Sequence, residues 1–162
     1  MKYLKLFEDN RAEVEKMCIN VKFKNKLNEF CDTYLAYLID RGFTIQIKYN
    51  RDRNKVSGSI PRFLIVISRF RNDRFRYKFT WDDIKDEFIP FFDMLSREYN
   101  ILDTTFSVYP KNPTPVIDYS RGTTYIFNEL SITNKEILDD KVSDKLEKME
   151  LPKISWIKIK ID

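Results

Sequence analysis

Between Val14 and Ile39 apolar residues return every three or four positions: Val14, Met17, Cys18 and Val21, then Leu27, Phe30, Cys31, Tyr34, Leu35 and Leu38. That spacing is one buried stripe of a helix with a 3.6-residue period. The phase slips near Phe23–Lys26, so the pattern predicts one kinked helix or two joined by a short link. Gly42 follows in the position of a left-handed C-terminal cap. The period then changes to two. In "FTIQIKY" (43–49), Phe43, Ile45, Ile47 and Tyr49 fall on one side and Thr44, Gln46 and Lys48 on the other, as in a half-buried strand. "IPRFLIVISRF" (60–70) is apolar on both sides at its centre and belongs inside a sheet, with Pro61 at its start, where a missing N–H is tolerated.

"RND" turns the chain and "RFRYKF" (74–79) returns, with Phe75, Tyr77 and Phe79 alternating against Arg74, Arg76 and Lys78. Taken alone, this strand separates its rings from its cations. Thr80 is placed to cap a helix whose stripe Ile84, Phe88, Phe91, Phe92, Leu95, Tyr99 runs over about 81–100, with a kink expected at Pro90. "TTFSVYP" (104–110) and "TTYIF" (123–127) read as strands, and "PKNPTP" (110–115) as a surface loop. A third helix spans 134–149 through Leu138, Val142, Leu146 and Met149. The closing "KISWIKIKID" is a strand with Ser155, Ile157, Ile159 and Ile161 on one side.

The order is helix, three strands, helix, two or three strands, helix, strand. That describes a single α+β domain over 1–162: a long N-terminal helical region at 1–41, then a mainly antiparallel sheet of about five to six strands with two to three packed helices over 42–162. No repeat, low-complexity tract or linker interrupts it.

Charge changes the picture more by its distribution than by its sum. The net +4 is mild, but residues 41–80 hold eleven cations and two anions, so that segment carries +9 and the rest of the chain −5. Such polarity suits either nucleic acid or contact between copies of the chain. The candidate contact residues for a partner surface or for phosphates are Arg51, Arg53, Lys55, Arg71, Arg74, Arg76 and Lys78.

Catalytic constellations are few. The absence of histidine removes Ser–His–Asp and Cys–His chemistry and the commoner zinc sites. Cys18 and Cys31 would stand about 20 Å apart on one continuous helix, beyond disulfide reach. The acidic clusters Asp82, Asp83, Asp86, Glu87 and Asp139, Asp140 fall where the first turns of helices are predicted, and carboxylates there stabilise the helix N-terminus. The glycines at 42, 58 and 122 lie too far apart for a phosphate-cradling loop. The longest apolar run, Phe63 to Ile67, is far short of a membrane span, and no signal-peptide pattern is present. No cofactor or metal is implied.

The opening "MKYLKLFEDN" resembles the start of many small proteins of tailed bacteriophages and the capsid-targeting leader of proteins packaged into large phage heads. The likeness rests on Lys2, Leu6, Phe7 and Glu8, and it implies cleavage after Glu8 by a prohead protease. The resemblance implies a non-enzymatic phage accessory or virion structural protein, located in the host cytoplasm or the virion. It would act through contacts with copies of itself or with other virion proteins, and not at a membrane. The alternative is a nucleic-acid-binding accessory protein using the basic hairpin around 69–79.

Overall fold

In the computed structural model, residues 20–50, 62–71, 75–109, 115–118, 122–125 and 128–162 are described. Of the helical region expected over 1–41, residues 1–19 lie outside the described residues; within the described ones α1 covers 20–34 and α2 Ala36–Asp40. The break falls at Leu35 and not near Phe23–Lys26, where the phase slip put it. Leu35 N–H still reaches Cys31 O at 2.8 Å and Ile39 N–H reaches Leu35 O at 3.0 Å, so the ladder continues across the break. Leu27, Cys31, Leu35 and Leu38 form the buried stripe. Gly42 takes φ 83°, and its N–H bonds Ile39 O, closing the helix as the sequence reading required.

The strands are β1 (Phe43–Asn50), β2 (Arg62–Arg71), β3 (Phe75–Tyr77), β4 (Ile101–Tyr109), β5 (Pro115–Asp118), β6 (Gly122–Tyr125), β7 (Asn128–Ser131) and β8 (Lys153–Ile161). The main sheet runs β1-β2-β8-β4-β7, antiparallel throughout, and β3 pairs with the end of β2. β5 and β6 form a separate hairpin. The strand read at 123–127 therefore lies outside the main sheet, while β5 and the polar β7 arise where no strand was predicted. β7 offers only Leu130 to the core, which is why alternation did not reveal it. The last strand, β8, is the central one. It closes the β1–β2 hairpin against β4, so the sheet is complete only when the C-terminus is in place.

At one end the sheet forks. β2 pairs with β8 as far as Ser68↔Trp156 and then with β3, while Ile154 of β8 exchanges both backbone hydrogen bonds with Phe79, at 2.9 and 2.7 Å. The hairpin end thus enters between β2 and β8, and Phe79 becomes a buried core residue edge-on to Phe43 at 5.1 Å.

Helix α3 (Lys85–Glu98) passes unbroken through Pro90. Thr80 does not cap it directly. A turn over 81–84 intervenes, in which Asp83 accepts from Thr80 N (2.7 Å) and Thr80 Oγ1 (2.9 Å). These hydrogen bonds outweigh partial burial and hold the Asp83 carboxyl below its ordinary pKa. Aromatic contacts join the layers: Phe23 stacks on Phe63 at 4.7 Å, Phe30 approaches Phe91 at 5.9 Å, and Trp81 meets Phe88 at 5.5 Å and Phe106 at 5.8 Å.

The helix expected over 134–149 is two helices, α4 (Asn134–Leu138) and α5 (Val142–Lys148). The cause is local. Asp140 adopts φ 51°, with its N–H on Ile137 O and Lys141 N–H on Glu136 O, a six-to-one and five-to-two closure normally completed by glycine. Glu150, at φ 54°, ends α5 in the same way. Asp139 and Asp140 therefore stand at a helix C-terminus, not in the first turn the sequence suggested. Asp140 Oδ1 accepts from Trp81 Nε1 at 2.6 Å, tying this link to the start of α3. Thr133 and Glu136 form a reciprocal capping box on α4.

Candidate interaction face

Register assigns each strand residue to one of the two sides of the sheet, because residues directly opposite in an antiparallel ladder lie on the same side. The helix side gathers Ile45, Ile47, Ile65, Ile67, Ile157, Ile159, Thr104 and Phe106. The other side is built of rows that cross the strands. Thr44, Ser68, Trp156, Ser107 and Glu129 form one row; Gln46, Val66, Lys158, Thr105 and Ser131 form the next. Lys48, Leu64, Lys160 and Asp103 form the third. Antiparallel sheets commonly leave such a side to solvent.

The outer side is closed at one end and open at the other. Trp156, Ser68 and Ser107 are buried, whereas Gln46, Lys48, Asp103 and Glu129 are exposed. At the open end a shallow depression of about 260 Å³ is lined by Leu64, Asp103, Thr105, Glu129, Lys158 and Lys160. Lys158 Nζ bonds Glu129 Oε1 at 2.7 Å and sits 5.3 Å from the centre of the Trp156 ring. Thr105 Oγ1 donates to Asp103 Oδ2 at 3.0 Å. Lys78 Nζ lies 3.9 Å from the Tyr109 ring centre, and Tyr109 is opposite Lys153. Cations resting on ring faces are attracted by the ring quadrupole, by about 0.5–1 kcal/mol at exposed sites.

Of the seven cations singled out in the sequence, only part lies within the described residues. Arg51, Arg53, Lys55 and Arg74 lie outside the described residues. Continuing the alternation of β2 puts position 71 on the helix side, whereas positions 76 and 78 fall on the outer side with Lys158 and Lys160. Pairing keeps the alternation of the return strand and adds positions of β2 to each side. Arg69 is opposite Tyr77, Phe70 opposite Arg76, and Arg71 opposite Phe75, so both sides of the hairpin mix the two kinds of residue. Alternation within one strand carries no information about which residue its partner sets across from it.

Lys48, Lys153, Lys158 and Lys160 were not singled out from the sequence. The available signal was the alternation of "KISWIKIKID", which puts Trp156, Lys158 and Lys160 opposite the isoleucines. Nothing local, however, shows that β8 is central and that its lysines face a five-strand surface.

Other groups with chemical potential are committed to structure. Cys31 is buried, and burial pushes its thiol up to about 12, so it stays protonated. Lys85 bonds Asp82 at 2.8 Å and approaches Asp140 at 3.9 Å. Among the described residues no His, Cys, Asp or Glu side chains converge in a group that could hold a metal ion, and no helix is long and apolar enough to cross a membrane. Compared with known protein families, curated proteins and solved structures, the chain matches none.

Proposed function

We propose that this chain is a non-enzymatic accessory or virion structural protein of a tailed bacteriophage, working by protein–protein contact through the outer side of its sheet. The observation that carries the reading is the character of that side: it crosses five strands and, at its open end, is lined by charged and half-exposed side chains. Its depression of about 260 Å³ and a second of about 120 Å³ between the start of α3 and α5 are smaller than the roughly 300–1,000 Å³ of small-molecule sites. The phage assignment rests on the N-terminal resemblance, which lies outside the described residues. Light scattering on a size-exclusion column, at about 50 and 300 mM salt with absorbance read at 260 and 280 nm, tests the contact reading. A defined protein species without 260 nm excess supports it; a salt-labile nucleic-acid complex counts against it.

One observation favours a second reading, nucleic-acid binding at the same surface: positions 76 and 78 of the basic hairpin share the outer side with Lys153, Lys158 and Lys160. That reading predicts an affinity for duplex or single strands that falls steeply with salt, by about one unit of log–log slope less for each phosphate-contacting lysine removed.

A further inference from the structure

The two layers of the molecule carry opposite charge. On the outer side of the sheet, among the described residues, Lys48, Lys153, Lys158 and Lys160 stand in rows with two carboxylates, Asp103 and Glu129. In the helical layer the turn before α3 and the helix itself carry Asp82, Asp83, Asp86, Glu87, Asp93 and Glu98 against Lys85 and Arg97. The stretch 134–150 adds Glu136, Asp139, Asp140, Asp144, Glu147 and Glu150 against four lysines.

Internal pairing uses up part of each set and leaves the rest. Glu129 is taken by Lys158, Asp82 by Lys85, Asp93 by Arg97 and Glu136 by Lys145. Unpaired among the described residues are Lys48, Lys153 and Lys160 on the sheet, and Asp86, Glu98, Asp144, Glu147 and Glu150 on the helices. Lys48 and Lys160 flank Leu64 in one row and therefore stand about 10 Å apart, two strand spacings. On the acidic side Asp82 and Glu147 line a common depression between the α3 turn and α5, and Asp86 stands one turn beyond Asp82.

We infer that the occupant of the outer sheet side is a second copy of this chain, presenting its α3–α5 surface, so that copies associate head to tail. The inference rests on the contact reading above and names its partner. The physical reason is complementarity. A side with excess cations repels an identical side, which disfavours a two-fold dimer through the sheet, while the same side attracts the acidic layer of a neighbour. A contact between two different surfaces of one chain leaves one of each unsatisfied at the ends, so association proceeds beyond two copies, into a ring or an open row. Both surfaces are exposed, so the attraction is screened by salt.

Sedimentation velocity of the full chain, over a concentration series at about 50 and 300 mM salt, tests this. The expected result is a mean mass that climbs past the dimer with concentration at low salt, with association weakened about tenfold at the higher salt. Lys48→Glu with Lys160→Glu on the sheet, and separately Asp86→Lys with Glu147→Lys on the helices, should each weaken association at least about tenfold. Mixing the two doubly substituted chains should restore it, because each then offers what the other needs. Lys48, Asp86 and Glu147 are exposed and Lys160 is half-exposed, none has an ion-pair partner among the described residues, and an unchanged circular dichroism melt confirms that the substituted chains fold. A wild-type chain that stays near 20 kDa, one that stops at a dimer, or a mixture that fails to recover overturns the inference. So does low-salt association that carries 260 nm absorbance and vanishes on nuclease treatment. If the wild type is monomeric and yet binds another phage protein through Lys48 and Lys160, the self-association fails while the contact reading stands.

Discussion

On the helix side of the sheet, Ile65, Ile67, Phe106, Ile157 and Ile159 are all fully buried against α1, α3 and their aromatic rings. One residue along each strand, on the other side, stand Leu64, Val66, Thr105, Lys158 and Lys160, half-exposed and partly charged. The same five strands therefore serve two purposes. One side supplies burial that drives folding, about 25 cal/mol for each Å² of apolar surface removed from water. The other, at its open end, carries half-exposed and charged side chains that add little to that burial. The difference teaches that the core and the outer surface can be altered separately here, even between adjacent residues of one strand.

The sharpest test compares neighbours. Phe106→Ala should cost about 3–5 kcal/mol in urea denaturation, as a large ring lost from a packed core does, whereas Thr105→Ala should stay within about 0.5 kcal/mol. Equal effects would dissolve the distinction between the sides. Next in size, Trp81→Phe keeps the buried ring but removes the donor to Asp140 Oδ1, and should cost about 1.5–3 kcal/mol. If it costs nothing, the tie between the α3 turn and the α4–α5 link is without weight.

Thr104 is the polar exception on the apolar side. Its Oγ1 is buried without a hydrogen-bond partner among the described residues. Thr104→Val should therefore stabilise by about 1 kcal/mol, since an isosteric methyl replaces a desolvated hydroxyl. A loss of stability would show that the hydroxyl has a partner. On the outer side, Lys158→Ala removes both the ion pair with Glu129 and the cation resting on Trp156, and should cost only about 0.5–1 kcal/mol, less at high salt.

The smallest effect is a pH dependence. Lys145, followed by the backbone N–H of Thr133, holds the Glu136 carboxyl down at about 2. A carboxyl lowered on folding adds stability that is present above its unfolded pKa and lost as pH falls through the folded one. Wild type should thus exceed Glu136→Gln at pH 7, with the gap closing between the ordinary glutamate range and about pH 2 in thermal melts. A gap independent of pH would assign the effect to the capping hydrogen bonds alone.

Much of the fold is legible in the chain. The period of 3.6 in Leu27–Leu38 and in Phe88–Leu95, the period of two in β1 and β8, and the glycine that ends α2 are local signals with local causes. Other elements were hidden for equally physical reasons. The polar β7 exists because β4 presents it with an edge, not because of its own alternation. The long third helix divides because Asp140, a residue without glycine's freedom, takes a left-handed conformation while its carboxylate holds Trp81, 59 positions away.

The candidate surface divides in the same way. By itself the sequence determined the α+β class, the apolar stripes, and the concentration of cations in 41–80, since these depend only on which residues lie within a few positions of one another. The tertiary structure decided the rest: that the last strand enters the middle of the sheet, that positions of opposite kind are paired across the β2–β3 ladder, and that Lys48 and Lys160 share a row. Pairing register joins residues more than a hundred positions apart, and the pattern within a single strand places no constraint on which strand lies beside it.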